Sequence, residues 1–133
     1  MNRNLLQLKL SSVIIPLFFC SQAFGSNAND TDCDPLRGQK IFGKCATCHT
    51  LDASAIHGVG PNLHAIVGGP IGKQHAYKYS KALREAQGHW SPDKLHAYLL
   101  SPMVSFPGTT MGFAGLKRQQ DRDDVICFLA QDK

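Results

Sequence analysis

The chain has 133 residues, of which 43% are apolar and 18% charged, and its formal net charge is +4. This composition is typical of one globular domain and excludes a fibrous or disordered chain. The basic residues do not form a dense run interleaved with aromatic residues, so the sequence predicts no nucleic-acid binding.

The first 25 residues have the pattern of a secretory signal. Arg3 and Lys9 precede the apolar stretch 12–20, and Ala23-Phe24-Gly25 follows, with a small residue on each side of the phenylalanine. The apolar stretch is too short to span a bilayer comfortably, so we predict cleavage after Gly25 and export to the periplasm. Cleavage would remove Arg3 and Lys9 and leave 12 basic against 10 acidic residues, a net charge of +2. An uncleaved membrane anchor and a lipoprotein acylated at Cys20 remain the alternatives.

The predicted mature chain begins with a polar tail, residues 26–33, and continues as one domain over residues 34–133. Asp34 and Pro35 are residue types that favour the N-cap and the first position of a helix. The apolar residues that follow them predict a first helix over about residues 34–47.

The middle of the chain alternates a long loop with short helices. Residues 50–74 are rich in glycine and proline and predict an ordered loop, which needs something to wrap around in so small a domain. A short helix is predicted over residues 79–86. Ser91 and Pro92 open another helix, which must end before Pro102.

The last third of the chain also combines an irregular segment with a helix. Residues 101–115 hold two prolines and are predicted to be irregular. The last helix is predicted over residues 118–131, with Asp121, Asp123 and Asp124 in its early turns. Its buried stripe is formed by Val125, Phe128 and Leu129. The sequence thus predicts an all-α fold of short helices and long loops, with a cofactor at its centre.

The motif that carries chemistry is Cys45-Ala46-Thr47-Cys48-His49. Residues three and four apart on a helical turn share a face, so two thiols and one imidazole address the same object. Two thiols can attach to the vinyl groups of a haem, and the adjacent imidazole can bind its iron. The motif therefore predicts one covalently attached haem c, with His49 as an iron ligand.

Two other readings of the motif are weaker. A structural zinc site needs four ligands, usually in two spaced pairs, and the chain has no second Cys-x-x-Cys. A redox disulfide of the thioredoxin kind needs an alternating strand and helix context, which the sequence does not predict.

The second axial ligand decides between an electron carrier and a haem enzyme. A strong protein ligand closes the iron to small molecules, whereas an open position allows peroxidase or gas-binding chemistry. Met111 lies between Pro107-Gly108 and Gly112, in a loop that can direct its thioether inward, and is the predicted ligand. Met103 and then His75 are the alternatives, and a small haem peroxidase or gas-binding protein is the alternative function.

These residues resemble the class I cytochromes c, in the branch of the mitochondrial and bacterial c2-like proteins. The resemblance covers about residues 34–131 and is carried by motifs in the family's order. They are Gly38-Gln-Lys-Ile-Phe42, Cys45-x-x-Cys-His49, Gly60-Pro61-Asn62-Leu63, Trp90 and Pro107-Gly-Thr-Thr-Met111. The resemblance implies the cytochrome c fold around one covalent haem and a protein that is not an enzyme.

The resemblance also assigns roles to single residues. Pro61 would accept a hydrogen bond from His49 through its carbonyl, and Tyr98 would donate to the sulfur of Met111. Haem propionates would be bound by Tyr79, Trp90 and Thr109, and Phe113 would cover the exposed haem edge. Gly38 would allow the first and last helices to cross closely. His57 would bind backbone, while His64, His75, His89 and His96 are read as surface or hydrogen-bonded histidines.

Two further expectations follow from the resemblance. The first and last helices cross in this family, which brings Cys33 near Cys127 and suggests a disulfide; the alternative is a free tail thiol and a small core residue. The partners implied are a membrane quinol-oxidising complex and a terminal oxidase or reductase. The protein would meet a membrane only through these complexes and would be a monomer.

Overall fold

The computed structural model describes residues 33–132, so the predicted signal segment 1–25 and most of the tail lie outside the described residues. Five helices follow one another: α1 (Pro35–Phe42), α2 (Lys81–Glu85), α3 (Pro92–Leu100), α4 (Pro102–Ser105) and α5 (Gln119–Ala130). In this part of the chain, β pairing is limited to one isolated bridge between Pro70 and His89. The predicted all-α class is therefore confirmed. None of the helices in residues 33–132 has the length and apolar character needed to cross a membrane.

The first helix begins as predicted. The Asp34 carboxylate accepts hydrogen bonds from the N–H groups of Leu36 and Arg37 at 2.9 and 3.1 Å, and Pro35 occupies the first position. The acid thereby satisfies N–H groups that have no partner inside the helix, and the proline has no N–H to leave unpaired.

The end of the first helix differs from the prediction of residue 47. Regular α-helix stops at Phe42, and residues 43–48 continue as tight turns. Cys45 N–H donates to the Phe42 carbonyl at 2.7 Å, and Cys48 N–H donates to the Cys45 carbonyl at 2.9 Å. These two bonds span three residues and wind the chain more tightly, and they alternate with bonds that span four residues, from Ala46 N–H to the Phe42 carbonyl and from His49 N–H to the Cys45 carbonyl. Both kinds of turn keep residues three and four apart on one face, so the sequence pattern could not distinguish them.

The other helices match their predictions except for one addition. α2 lies inside the predicted 79–86, α3 begins after the predicted Ser91 cap, and α5 is one residue shorter at each end than predicted. α4 lies in the region predicted to be irregular. A four-residue helix is too short to produce a periodic pattern, and Pro102 reads as a breaker although proline is favoured at a helix's first position.

α1 and α5 cross at Gly38. A Cβ atom added there would lie 2.1 Å from the carbonyl oxygen of Asp124, so only a glycine permits this approach. Beside the crossing, the rings of Phe42 and Phe128 pack with centroids 5.4 Å apart. The predicted close crossing of the first and last helices is confirmed, and it fixes α1 as the element from which the Cys45–Cys48 turns emerge.

The Asp124 carboxylate fastens the same crossing. It is fully buried, and it accepts hydrogen bonds from Asp34 N–H at 2.9 Å, from Gln120 Nε2 at 3.1 Å and from the Arg37 guanidinium. The Arg37 hydrogen bond is the main cause that lowers the pKa of this carboxyl from 3.8 to about 2. The ionised form is therefore strongly favoured in the folded protein.

Asp124 should make the stability depend on acid pH. Because folding lowers its pKa, its stabilisation is fully present above the ordinary carboxyl pKa and is lost as the pH falls towards 2. The shift corresponds to about 2 kcal/mol. We expect the stability gap between the holoprotein and Asp124→Asn to shrink by about that amount between pH 6 and pH 2.5, measured by guanidinium unfolding. A gap of equal size at both pH values would contradict this role.

Cys33 and Cys127 form a disulfide, with their Cα atoms 6.2 Å apart and 94 residues of sequence between them. The bond joins the residue before the α1 cap to the middle of α5. Of the two outcomes that the sequence left open for this pair, the structure has the bonded one. Cys45 and Cys48 are free.

The core continues from this crossing to α3. The predicted inward face of α3, Leu95, Tyr98 and Leu99, is buried. The rings of Trp90 and Phe106 pack on Tyr98 with centroids 5.0 and 5.6 Å away. α3, α5 and the loops thus enclose a cavity.

Candidate cofactor site

A cavity of about 290 Å³ lies between the Cys45–Pro61 segment and the Thr109–Phe113 segment. All ten residues that the sequence assigned to a cofactor line it. They are Cys45, Cys48, His49, Pro61, Tyr79, Trp90, Tyr98, Thr109, Met111 and Phe113. These residues come from segments up to 68 positions apart in the chain, and the fold brings them to one space.

His49 is held in one tautomer. Its Nδ1 lies 2.7 Å from the Pro61 carbonyl oxygen, to which it donates, so Nε2 is the ring nitrogen with a free lone pair. Burial lowers the pKa of His49, an effect that the Pro61 hydrogen bond partly offsets, and this keeps the imidazole neutral. Gly60 makes room for the ring: a Cβ there would lie 2.4 Å from the imidazole. The result is an oriented imidazole suited to bind a metal.

The two thiols of the motif line the same cavity. Cys45 is half-buried and Cys48 exposed. Burial raises the pKa of the Cys45 thiol, and the nearby Lys44 cation acts in the opposite direction. Within residues 33–132, no group of three or more His, Cys, Asp or Glu side chains is arranged to hold a metal ion.

Met111 is directed by its loop. Thr109 is buried, and its Oγ1 accepts the Met111 N–H at 3.3 Å. Gly108 has a φ of +88°, a conformation that favours glycine, and so allows the chain to turn into this segment. The thioether thereby joins the wall of the cavity.

The Tyr98 hydroxyl lies 3.1 Å from the Oγ1 of Thr109. The family resemblance gave these groups separate partners, the sulfur of Met111 and a propionate, whereas the structure pairs them with each other. Burial raises the pKa of Tyr98, and burial likewise raises the pKa of Tyr79 to about 12. Both tyrosines thus remain hydroxyl donors at neutral pH.

The alternative ligands lie elsewhere. Met103 is 55% exposed on α4, and neither it nor the exposed His75 lines the cavity. His64 bonds Asp132 at 3.0 Å, and His96 bonds Asp123 at 2.5 Å. Among the described residues, Met111 is the methionine that lines the same cavity as His49.

Two polar residues hold the long loop in place. His57 Nδ1 accepts the Asn62 N–H at 3.0 Å, while His57 Nε2 donates to the His75 carbonyl at 2.7 Å, as the predicted backbone-binding role requires. Asn62 is fully buried, and its amide donates to Thr50 Oγ1 and to the Asp52 carbonyl at 2.9 Å. These bonds fix the segment that carries Pro61.

Sequence reasoning missed part of the wall. Tyr77 lines the cavity, donates to the Val59 carbonyl at 2.8 Å and packs against the ring of Tyr79 at 4.8 Å. Its spacing of two from Tyr79 was the available signal, since alternate residues of an extended segment share a side. The remaining missed lining is mainly apolar: Val59, Leu63, Ile66, Leu83, Leu95, Leu99, Val125 and Leu129.

The residues present fit a covalently attached haem. Two thiols, a neutral imidazole with its Nε2 free and a thioether line one cavity whose walls are otherwise mostly apolar. Imidazole and thioether together are an axial ligand pair that haem iron accepts, and the thiols supply the covalent attachment.

Comparison with known proteins agrees with this reading. A family model described as cytochrome c matches residues 36–133. Cytochrome c of Ulva intestinalis is 44% identical over 97 residues, which cover 72% of this chain and 87% of its own. Cytochrome c2 of Rhodomicrobium vannielii is 36% identical and covers 92% of this chain and 94% of its own. The solved structure of cytochrome cH from Methylobacterium extorquens has a TM-score of 0.70 and 33% identity, over 74% of this chain and 98% of its own.

Proposed function

Because the chain belongs to the cytochrome c family, we propose that it is an exported electron carrier of the periplasm whose iron is held by His49 and Met111. Its cofactor is one covalently attached haem c, and it transfers electrons to redox partners rather than acting as an enzyme. The observation that carries the proposal is the cavity, which gathers both side chains with Cys45 and Cys48.

Each residue of the motif has one task in this proposal. Cys45 and Cys48 would hold the cofactor by thioether bonds, which would prevent its loss. His49 would present Nε2 to the metal, because its Nδ1 donates to the Pro61 carbonyl, and this hydrogen bond would raise the basicity of the ligand. When bound, haem c supplies an iron that gains and loses one electron.

On the Thr109–Phe113 side of the cavity, hydrogen bonds of backbone and hydroxyl groups position Met111. Thr109 fixes the Met111 N–H, and Tyr98 fixes Thr109, so the thioether is positioned before it binds. A ligand that is already in place needs little rearrangement when the electron moves. Tyr79, Trp90 and Phe113 also line the cavity, where Tyr79 and Trp90, together with Thr109, would bind the haem propionates and Phe113 would cover the exposed haem edge.

The proposed location rests on the N-terminal sequence. The charge, apolar and small-residue order of residues 1–25 supports export with cleavage after about Gly25, leaving the domain 34–133. The match to cytochrome c2 covers 92% of the chain and therefore extends into these residues. In the periplasm we propose a quinol-oxidising membrane complex as donor, a terminal oxidase or reductase as acceptor, and a monomer as the mobile form.

Visible spectroscopy of the purified holoprotein tests the ligand set. We expect the spectrum of a six-coordinate haem c in both oxidation states, with the charge-transfer band of a methionine bound to ferric iron. Carbon monoxide should not bind the reduced protein at neutral pH, since the sixth position is filled. Rapid binding of carbon monoxide would contradict Met111 as a ligand and favour a gas-binding or peroxidase function.

A further inference from the structure

The rim of the cavity has little charge. Its exposed lining residues are Lys44, Thr47, Cys48, Val59, Thr110 and Gly112. Lys44 carries the one full charge among the cavity-lining residues of the described chain. A rim of this kind offers little to attract an acidic surface.

α4, which ends four residues before Thr109 in the chain, has an exposed apolar face. Met103 and Val104 are 55% and 78% exposed, and the helix has no charged residue. Pro102 is buried, and Phe106, just past the helix end, packs against Trp90 with ring centroids 5.8 Å apart. The two anchors turn Met103 and Val104 outward. The Phe106 carbonyl then accepts the Thr109 N–H at 2.9 Å, which ties α4 to the Met111 wall.

The Cys45–Pro61 segment, on the other side of the cavity, also has two exposed apolar residues. Val59 is 82% exposed and precedes Gly60, which lies against the His49 ring, and Ile56 in the same loop is 66% exposed. Of the six large apolar side chains exposed within residues 33–132, two lie in the Cys45–Pro61 segment and two on α4, which the Thr109–Phe106 hydrogen bond joins to the Thr109–Phe113 segment. Single exposed apolar residues are ordinary, but their concentration around one opening is a mark of an interaction site.

We propose that this apolar rim, Ile56, Val59, Met103 and Val104, docks a redox partner protein through an uncharged, apolar contact surface. The inference rests on the proposed electron-carrier function and specifies the partner's chemistry. Arg118 lies 3.8 Å from the Asp121 carboxylate, which offsets part of its charge. Lys117 Nζ donates to the Leu100 carbonyl at 3.0 Å, which orients the cation without neutralising it.

The size of the apolar rim argues for a transient partner rather than a second copy of the chain. Four side chains offer much less than the roughly 800 Å² per partner that a stable interface buries. A small apolar contact dissociates quickly, as a carrier that must leave its partner requires. It also changes little with ionic strength, because screening acts on charges.

Electron transfer at coated gold electrodes tests this inference with defined surfaces. One coating ends in mixed methyl and hydroxyl groups, the other in carboxylates. We expect the holoprotein to exchange electrons faster on the methyl/hydroxyl coating, with a rate that changes less than about twofold between 10 mM and 500 mM salt. A faster rate on carboxylates that falls steeply with salt would overturn the apolar docking surface.

Matched lysine variants locate the effect. Val104→Lys should slow transfer at the methyl/hydroxyl coating at least about fivefold and introduce salt dependence on the carboxylate coating. Leu36→Lys adds the same charge at a 71% exposed apolar position of α1, away from the apolar rim, and should change neither rate. Equal effects of the two variants would overturn the assignment.

Three further outcomes would overturn different parts of the argument. A wild-type dimer that forms with rising concentration in sedimentation, and that Val104→Lys abolishes, would assign the apolar rim to a second copy and overturn the partner. A protein without a reversible one-electron wave on either coating would overturn the electron carrier itself. A reversible wave with steep salt dependence would overturn the docking surface alone.

Discussion

Replacing Met111 by alanine is expected to lower the reduction potential by about 200 mV, a part of the roughly 0.8 V range that axial ligands span. A thioether ligand favours reduced iron, and its removal withdraws that preference. Met111 is the one methionine among the cavity-lining residues of the described chain, so no second thioether replaces it. Potentiometric titration measures the shift, and carbon monoxide should bind the reduced variant.

Met103→Ala is the matched control. Its side chain is 55% exposed on α4 and does not line the cavity, so the equilibrium potential and the resistance to carbon monoxide should stay at wild-type values. If Met103→Ala lowered the potential and Met111→Ala did not, the sixth ligand would be Met103. Unchanged behaviour of both variants would exclude a methionine ligand.

Breaking the Cys33–Cys127 disulfide is expected to reduce the free energy of unfolding by about 4 kcal/mol. The two cysteines are 94 residues apart in the sequence. Closing a loop of that length removes a large share of the conformational entropy of the unfolded chain. For a domain of about 100 residues the loss corresponds to a fall in melting temperature of roughly 20 °C. Guanidinium and thermal unfolding of Cys33→Ala/Cys127→Ala holoprotein measure both quantities.

The single variants provide the control for the disulfide. Cys33→Ala and Cys127→Ala break the same bond, so each alone should lose nearly as much stability as the double variant. The haem spectrum should be unchanged in all three, because neither cysteine lines the cavity. If the stability losses of the two single variants added up to the loss of the double variant, the effect would come from lost packing rather than from the broken bond.

Much of the fold followed from local patterns. The caps at Asp34 and Ser91 and the breaks at prolines placed the starts of α1 and α3, since capping depends on residues adjacent in sequence. The end of α1 and the whole of α4 were missed. Both are decided by one or two hydrogen bonds within a single turn, which leave no periodic signal.

Asp124 shows a different limit. The sequence placed it among the acids in the early turns of the last helix, where an exposed carboxylate would stabilise the helix by interacting with the positive end of its dipole. In the structure it is buried and bound to Arg37, 87 positions away. No local pattern reports that pairing, because it arises only where α1 and α5 cross at Gly38. The pairing of Tyr98 with Thr109 has the same origin.

By itself, the sequence determined the kind of cofactor and how it is attached. Cys45, Cys48 and His49 lie within five consecutive residues, so any helical or tight-turn backbone presents them together. The sequence favoured Met111 over Met103 and suggested the Cys33–Cys127 pair, but only the tertiary structure brings that methionine to the cavity, adds the apolar side chains that close it and forms the disulfide. Those outcomes depend on distances between segments far apart in the chain, and only the packing of the helices and loops sets such distances.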